Sequence, residues 1–312
     1  MPNVMIKYYH QDTTDLQLSQ VDTYKKGVWI YAESPSDVEI QNLVAEFDLE
    51  PGHLEDARDE DEMPRLEREG DKTYLYIRFA YKNNRGEIET APLLILLAAD
   101  FVLSMSPVPL PALDVLLRRR GQLVTRQRAK LILLILSHVS DQYDMFINRT
   151  SRQIKAIRAR LRSTGITNQD LIAFVTIEDE LNEFLTSLQP TNAALRRLLV
   201  GRQLRLEEDQ DIVEDLLLNN EQSIEGIRSN LRSISNIRES YSAISTNNLN
   251  RTITLLTLAT ILVALPNVFF GMYGMNVPLP FQERDWAFAA IIGINVSLIL
   301  SIIVYVRRKR IV

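Results

Sequence analysis

The chain has 312 residues, of which 46% are hydrophobic and 24% are charged, and its formal net charge is −5 at pH 7. It has no cysteine, which excludes disulfides, thiolate metal sites and cysteine nucleophiles. Its histidines, His10, His53 and His138, show no HExxH or other paired-ligand spacing, so a catalytic zinc site is not expected. Any metal that the protein handles is expected to meet oxygen ligands, which favours magnesium or calcium over soft ions.

The N-terminal part mixes strand-like and helical runs. The start of the chain lacks the basic-then-apolar pattern of a signal peptide, so this part is expected to stay in the cytoplasm. Runs rich in β-branched and aromatic residues predict strands at 27–31, 73–79 and 101–105. Ser34-Pro35-Ser36-Asp37, followed by spaced apolar residues, predicts a capped amphipathic helix. We therefore expect a cytoplasmic α/β domain over residues 1–124.

Long helices are predicted from about Thr125 onward. Gly165 and Pro190 are the main breakers, so we expect one helix to about Ser163, a second from Asn168 to Leu188 and a third from near Leu204. The predicted cytoplasmic helical region and stalk covers residues 125–250.

A basic cluster lies at the start of this region. It lacks interleaved aromatic residues and belongs to an acidic protein, which favours a solvated helix face over a nucleic-acid contact. Its members are Arg118, Arg119, Arg120, Arg126, Arg128 and Lys130.

Apolar residues recur every three or four positions in the third helix. They are Ile224, Ile227, Leu231, Ile234, Ile237, Tyr241 and Ile244. This spacing fits both a left-handed supercoil of several copies and an ordinary amphipathic helix packed on its own domain. The absence of any break before the apolar C-terminal region favours the first alternative, in which the helix is both stalk and pore wall.

The C-terminal region contains two uncharged runs, 252–282 and 286–306, separated by Glu283, Arg284 and Asp285. Each run exceeds the roughly 20 apolar residues that span a bilayer. We expect a transmembrane domain over 251–312, with spans at about 252–272 and 286–306. The basic tail at 307–310 places the C terminus in the cytoplasm by the positive-inside rule, so both termini are expected on that side of the cell membrane.

Polar and small residues follow a helical spacing in the first span. They are Asn250, Thr257, Thr260, Ala264, Asn267 and Gly271. Polar side chains inside a membrane usually face a bundle interior or a water-filled path. The alternative is that the threonines and small residues let helices pack closely, but Asn267 beside Pro266 is harder to explain by packing.

Tyr273-Gly274-Met275-Asn276 follows at the end of this span. A Gly-flanked turn ending in Asn can present backbone carbonyls and an amide oxygen to a hydrated cation. In this position, before a second span and a basic tail, the four residues resemble the signature of the CorA magnesium-transport family. The segments 214–220, 245–250 and His53-Leu54-Glu55-Asp56 with Pro64-Arg65 are similar to family segments as well.

The resemblance implies a funnel-shaped homopentamer whose first spans line the pore. It implies an outer selectivity ring of Gly274, Met275 and Asn276, with Asn276 as the metal-facing residue. The lower pore-lining positions would be Asn250, Ile253, Leu256, Ala264, Asn267 and Gly271, with Ile253 and Leu256 as a hydrophobic gate. Two features depart from the family pattern. Asn267 stands where Thr is frequent, and the outer loop has Pro278-Leu279-Pro280-Phe281-Gln282-Glu283 in place of the more usual Met-Pro-Glu arrangement, with Glu283 as a candidate cation-attracting residue.

The resemblance also implies regulation by cytoplasmic magnesium bound between neighbouring subunits. The matching positions are Asp56 and Asp215, with Glu55 nearby. Two carboxylates that meet across an interface repel each other unless a cation lies between them. The acidic run from Glu55 to Glu62 fits such a site, and a solvated loop is its alternative.

The expected function is a passive channel for magnesium, with cobalt and nickel as further candidate ions. A zinc transporter of the related ZntB branch is the alternative; that branch usually carries Ile in place of Met275. A membrane-anchored coiled-coil adaptor would not need Thr260 and Asn267 in its span. An enzyme is least expected, because no nucleophile–base or metal-ligand constellation is present in the sequence.

Overall fold

The computed structural model describes residues 6–11, 18–118, 125, 127–163, 165–201, 207–277 and 284–308. The chain divides into two units, Met1–Ser235 and Asn236–Val312. One long helix contributes residues to both units.

The described part of the first unit contains a seven-stranded sheet in the order β2-β1-β3-β7-β6-β5-β4. Strands β3 and β7 are parallel and the other neighbours are antiparallel. The strands are β1 (Ile6–His10), β2 (Ser19–Val21), β3 (Val28–Glu33), β4 (Arg65–Glu69), β5 (Lys72–Lys82), β6 (Ile88–Leu97) and β7 (Phe101–Ser106).

Helices account for most of the rest of the described chain. They are α1 (Asp37–Phe47), α2 (Pro51–Asp56), α3 (Ala112–Arg118), α4 (Arg128–Ser163), α5 (Asn168–Leu199), α6 (Glu207–Tyr273) and α7 (Ala287–Arg308).

Both faces of the sheet are covered by helices. Tyr74 and Tyr76 of β5 belong to a buried cluster that includes Leu43 of α1 and Leu54 of α2. Side chains alternate along a strand, so the intervening residues of β5, such as Ile77, point to the other face. Helices α4 and α5 contact β5 there. This arrangement confirms the predicted α/β class.

The predicted strands at 27–31, 73–79 and 101–105 are confirmed by β3, β5 and β7. The predicted helix cap is confirmed too. Ser36 Oγ accepts a hydrogen bond from the backbone N–H of Glu39, and the Glu39 carboxylate accepts one from the Ser36 N–H at 2.9 Å. This capping box satisfies donors that a helix start otherwise leaves free.

The prediction that the second long helix ends at Leu188 is wrong. Helix α5 continues through Pro190 to Leu199. Proline removes one backbone hydrogen bond inside a helix. Here Leu188, Thr191 and Leu195 are buried on both sides of the proline, so tertiary packing stabilises the helix through the break.

The periodic apolar residues of α6 serve the chain's own core over part of their length. Ile224, Ile227 and Ile234 are all buried within the single chain. A Cβ placed on Gly226 would lie 3.8 Å from a methyl group of Ile147 in α4, which locates the packing partner of this stretch. In this stretch the structure therefore matches the second alternative, an amphipathic helix packed on its own domain.

Candidate functional site

The predicted pore-lining residues, together with Thr257 and Thr260 of the polar and small series, share one exposed face of α6. At about 100° per residue, the positions fall within an arc of about 120°. Ile253 and Leu256 are 52% and 68% exposed in the single chain. The remaining members, which are also exposed, are Asn250, Thr257, Thr260, Ala264, Asn267 and Gly271. One chain therefore leaves this whole face uncovered.

The shielded residues of the same segment lie on the opposite side of α6. Between Arg251 and Tyr273, the partly buried positions again span about 120°, centred roughly half a turn away from the exposed arc. They are Thr254, Leu258, Leu262, Leu265, Pro266, Phe269 and Tyr273. The segment thus has one covered face and one open face, and the polar residues Asn250, Thr257, Thr260 and Asn267 are on the open one.

The threonines of the open face already use their hydroxyl protons. Thr257 Oγ1 donates to the Ile253 carbonyl at 2.8 Å, and Thr260 Oγ1 donates to the Leu256 carbonyl at 2.9 Å. The hydroxyl oxygens keep their lone pairs and act as acceptors. Water molecules around a cation direct their hydrogens outward, so acceptors of this kind suit a hydrated cation.

The Gly-Met-Asn segment forms the turn that ends α6. The Gly274 N–H donates to the Phe270 carbonyl at 3.0 Å, and the Met275 N–H donates to the Met272 carbonyl at 3.2 Å. A Cβ on Gly274 would lie only 3.3 Å from the Phe270 carbonyl oxygen, so this close approach favours glycine. Met275 and Asn276 are exposed. Glu283 lies outside the described residues.

Two helices of the described chain are long and apolar enough to cross a membrane. They are α6 and α7. None of the most apolar 18-residue window of α6 is buried in the chain, and 11% of the corresponding window of α7 is buried. A core helix of a soluble protein would be mostly buried, so the exposure of these windows favours a lipid or protein environment around them.

The predicted regulatory carboxylates lie on two helices of the first unit. Glu55 and Asp56 are at the end of α2, and Asp215 is exposed on α6. Among the described residues, no group of three or more His, Asp or Glu side chains comes together to hold a metal ion. The prediction places Asp56 and Asp215 on neighbouring subunits, where each would face the other across an interface.

Helix α2 is held on the sheet by His53. The imidazole stacks on Tyr74, with ring centroids 3.8 Å apart. The Tyr76 hydroxyl donates to the His53 carbonyl at 3.0 Å and lies 2.9 Å from His53 Nδ1. The hydroxyl proton is used for the carbonyl, so Nδ1 is the donor to the hydroxyl oxygen. These contacts fix the position of Asp56, three residues further on.

Asp56 forms an ion pair that sequence analysis missed. Arg65 Nη2 donates to Asp56 Oδ2 at 2.7 Å. Burial acts to lower the pKa of Arg65, but the hydrogen bond to Glu67 and the surrounding negative charges outweigh it, and the pKa is raised above its ordinary value. The guanidinium therefore stays charged beside Asp56. An arginine three residues after the acidic run, and two before Glu67, was the available signal.

A buried polar network joins α4, α5 and α6, and it too was missed. Ser140 Oγ donates to Asn220 Oδ1 at 2.8 Å, and Asn219 Nδ2 donates to Asp144 Oδ2 at 2.9 Å. Asn220 Nδ2 in turn donates to Asn192 Oδ1. The segment 214–220 carries a family resemblance, but nothing in its local sequence shows which helices it meets.

Part of the basic cluster has a structural contact. Arg128 donates to the backbone carbonyls of Ala98 and Ala99, at the turn between β6 and β7. Lys130 is exposed on α4. Arg119, Arg120 and Arg126 lie outside the described residues.

Comparisons with known proteins agree on one family. A family model described as CorA-like Mg2+ transporter protein matches residues 24–308. The cobalt/magnesium transport protein CorA of Methanocaldococcus jannaschii is 22% identical over 295 residues, covering 90% of each chain.

Solved structures show the same fold. The complete structure of the CorA magnesium transporter from Methanocaldococcus jannaschii superposes with a TM-score of 0.86 at 19% identity, covering 99% of each chain. The ZntB cytoplasmic domain from Vibrio parahaemolyticus gives a TM-score of 0.65 at 12% identity, covering 77% of this chain and 98% of that domain.

The match over nearly the whole chain, with two helices long and apolar enough to cross a membrane, defines the class as membrane transporters of divalent cations rather than enzymes. Within that class, the chain belongs to the CorA-like Mg2+ transporter family.

Proposed function

We propose that this chain forms a homopentameric, passive channel for Mg2+, with Co2+ and Ni2+ as further permeant ions. The first span would line the pore, and Gly274, Met275 and Asn276 would form the outer selectivity ring. The observation that carries the proposal is the open face of α6, where polar and small residues follow one helical arc without any cover from the chain itself.

A pore along this face requires several copies of the chain. One helix cannot enclose an ion path, and an uncovered polar face is costly in lipid. Copies of α6 that turn these faces toward a common axis remove the cost and enclose a water-filled path. The number five comes from the family resemblance.

The rings along the path would have different tasks. Asn276 and Asn267, with the backbone carbonyls at Gly271 and Gly274, offer neutral oxygens to a hydrated cation. Ile253 and Leu256 are apolar and would close the path by dewetting. Asn250 and Ala264 would complete the lining.

The driving force would be the membrane potential. Moving a divalent cation inward gains about 4.6 kcal/mol per 100 mV, twice the value for a single charge. The sequence contains no Walker-type phosphate-binding loop, which is consistent with transport that needs no ATP.

The proposed topology follows from the apolar windows and the basic tail. Residues 1–124 would form the cytoplasmic α/β domain, residues 125–250 the helical region and stalk, and residues 251–312 the transmembrane domain with both termini in the cytoplasm. Cytoplasmic Mg2+ bound by Asp56 and Asp215 of neighbouring subunits, with Glu55 close by, would favour the closed pore. The lipid bilayer and further copies of the chain are then its partners, and no nucleic acid is involved.

The second candidate function is zinc transport. The likeness in fold between 77% of this chain and a ZntB cytoplasmic domain favours it. Met275 argues for the magnesium branch, because the zinc branch usually carries Ile at that position.

The test is ion flux in proteoliposomes that hold the full-length protein and an inside-negative potential. Mg2+, Co2+ and Zn2+ are compared side by side, with protein-free liposomes as the control. Potential-dependent Mg2+ entry is expected, and Zn2+ entry without Mg2+ entry would select the alternative. An absence of flux for all three ions would overturn the channel proposal.

A further inference from the structure

Arg65 is held by three carboxylates at once. Its guanidinium donates to Asp56 at 2.7 Å, to Glu67 at 2.6 Å and to Glu62. Its Cζ atom lies 4.0 Å from the centre of the Tyr76 ring, so the cation also rests on an aromatic face. The Arg65 side chain is only 28% exposed.

The charges in this group do not balance. One guanidinium faces Asp56, Glu62 and Glu67, which leaves two negative charges uncompensated within the group. The Asp56 side chain is 46% exposed and its contact with Arg65 uses one oxygen, Oδ2. The group therefore still attracts a cation, and Asp56 remains accessible to one.

The loss of Asp56 would not leave Arg65 unpaired. Glu62 and Glu67 would still accept its remaining hydrogen bonds, and Tyr76 would still cover one face of the guanidinium. An unpaired buried charge is the main cost of breaking an ion pair. Here that cost is small, so Asp56 can leave Arg65 for another cation.

We propose that Arg65, which the fold holds beside Asp56, competes with the regulatory divalent cation for the Asp56 carboxylate. The inference rests on the proposed regulatory role of Asp56. It adds the residue that sets the Mg2+ concentration at which this regulation takes effect. With Arg65 in place, a divalent cation must displace a charge-assisted hydrogen bond before it can bind Asp56. Arg65 thus raises the Mg2+ concentration at which the closed state is favoured.

The test uses Arg65→Gln in the full-length protein in detergent. The readout is the Mg2+ concentration that gives half-maximal protection of the protein against a protease. Loss of a partly exposed ion pair should lower this concentration roughly two- to fivefold relative to the wild type. Arg65→Lys, which keeps the charge but lacks the planar fork of donors that the guanidinium presents to the carboxylates, should give a smaller shift.

Arg58→Gln is the matched control. Arg58 is two residues from Asp56 in the sequence, but its side chain pairs with Asp37. The variant therefore has the same change in net charge without altering the group around Arg65. It should leave the half-protecting concentration at the wild-type value. In a protein that already carries Asp56→Asn, adding Arg65→Gln should leave the remaining Mg2+ protection unchanged, because the carboxylate for which Arg65 competes is absent.

The outcomes separate the inference from the function on which it rests. Equal half-protecting Mg2+ concentrations in the wild type and Arg65→Gln would overturn the competition and leave the proposed regulation by Mg2+ at Asp56 and Asp215 unaffected. An equal shift in Arg58→Gln would reduce the effect to net charge and overturn it too. A lack of Mg2+ protection in the wild type and in every variant would overturn both the proposed regulation by Mg2+ and this inference. The flux assay would still decide separately whether the protein is a channel. If Arg65→Gln unfolds, its protease sensitivity will not change even at saturating Mg2+. The half-protecting Mg2+ concentration of Arg65→Lys, compared with that of the wild type, then tests the competition.

Discussion

The side-chain amide of Asn220 in α6 donates a hydrogen bond across 3.0 Å to the side-chain oxygen of Asn192 in α5. Asn220 also accepts a hydrogen bond from Ser140 in α4, and both asparagines are buried. One residue therefore bonds two neighbouring helices. Buried polar groups of this kind allow one relative register of the helices, because any slip leaves them without partners.

We expect Asn220→Ala to destabilise the protein by about 1–3 kcal/mol, since it leaves the partners Ser140 and Asn192 buried without their bonds. Thermal unfolding of the full-length protein in detergent measures the change, which should lower Tm by several degrees. Gln222→Ala, at an exposed position of the same helix, is the control and should change stability by less than about 0.5 kcal/mol. Equal Tm values for the two variants would contradict a stabilising role of the network.

Replacing Asn276 with alanine should abolish Mg2+ uptake and leave assembly intact. The outer ring would lose its side-chain oxygens, whereas the packing surfaces lie elsewhere. Uptake in proteoliposomes and size-exclusion chromatography measure the two properties. Val277→Ala, at the next exposed position, should transport normally. Normal uptake by a well-assembled Asn276→Ala protein would refute the selectivity assignment.

Serine at Ile253 or at Leu256 should increase the leak of Mg2+ at high Mg2+ concentration. A polar ring holds water where an apolar ring excludes it, so the closed path would conduct. Leu255→Ser is the control, because Leu255 lies about 160° round the helix from Ile253. Stopped-flow flux at high Mg2+ concentration provides the measurement. If both serine variants keep the wild-type closed-state flux, the constriction lies elsewhere.

The pair Asp56→Asn and Asp215→Asn should remove most of the Mg2+-dependent protection against protease. A cation that binds only the closed ring stabilises it with the logarithm of its concentration above the dissociation constant. Without the two charges there is neither repulsion nor a bridging ligand, so the double variant should assemble without Mg2+. The measurement is protease cleavage with and without millimolar Mg2+.

The control for this double variant is Asp179→Asn with Asp211→Asn, which removes two charges from exposed positions on α5 and α6. It should keep the wild-type protection. Equal Mg2+ protection in the wild type, the Asp56/Asp215 double variant and the control double variant would show that any regulatory Mg2+ is bound by other residues.

Local patterns were sufficient for several elements. Ser36 and Glu39 predicted the start of α1, because a capping box is formed by residues three positions apart. A run rich in aromatic and β-branched residues predicted β5, and uncharged runs long enough to span a bilayer predicted the apolar parts of α6 and α7. The exposed arc of α6 was predictable as well, since spacings of three and four residues place side chains on one face of a helix.

Contacts between distant parts of the chain were decided by the tertiary structure. Strand β6 contains a proline and was not predicted, yet it pairs with both β5 and β7, because its neighbours supply the ladder partners. Helix α5 continues through Pro190 because burial of its flanking residues outweighs the lost backbone bond. The pairing of Arg65 with Asp56 needs the α2 helix to lie beside β4, which no local periodicity specifies. Short-range spacing determines which residues lie together on one face of a helix or strand. What that face packs against depends on distant chain segments, which meet only when the whole unit folds.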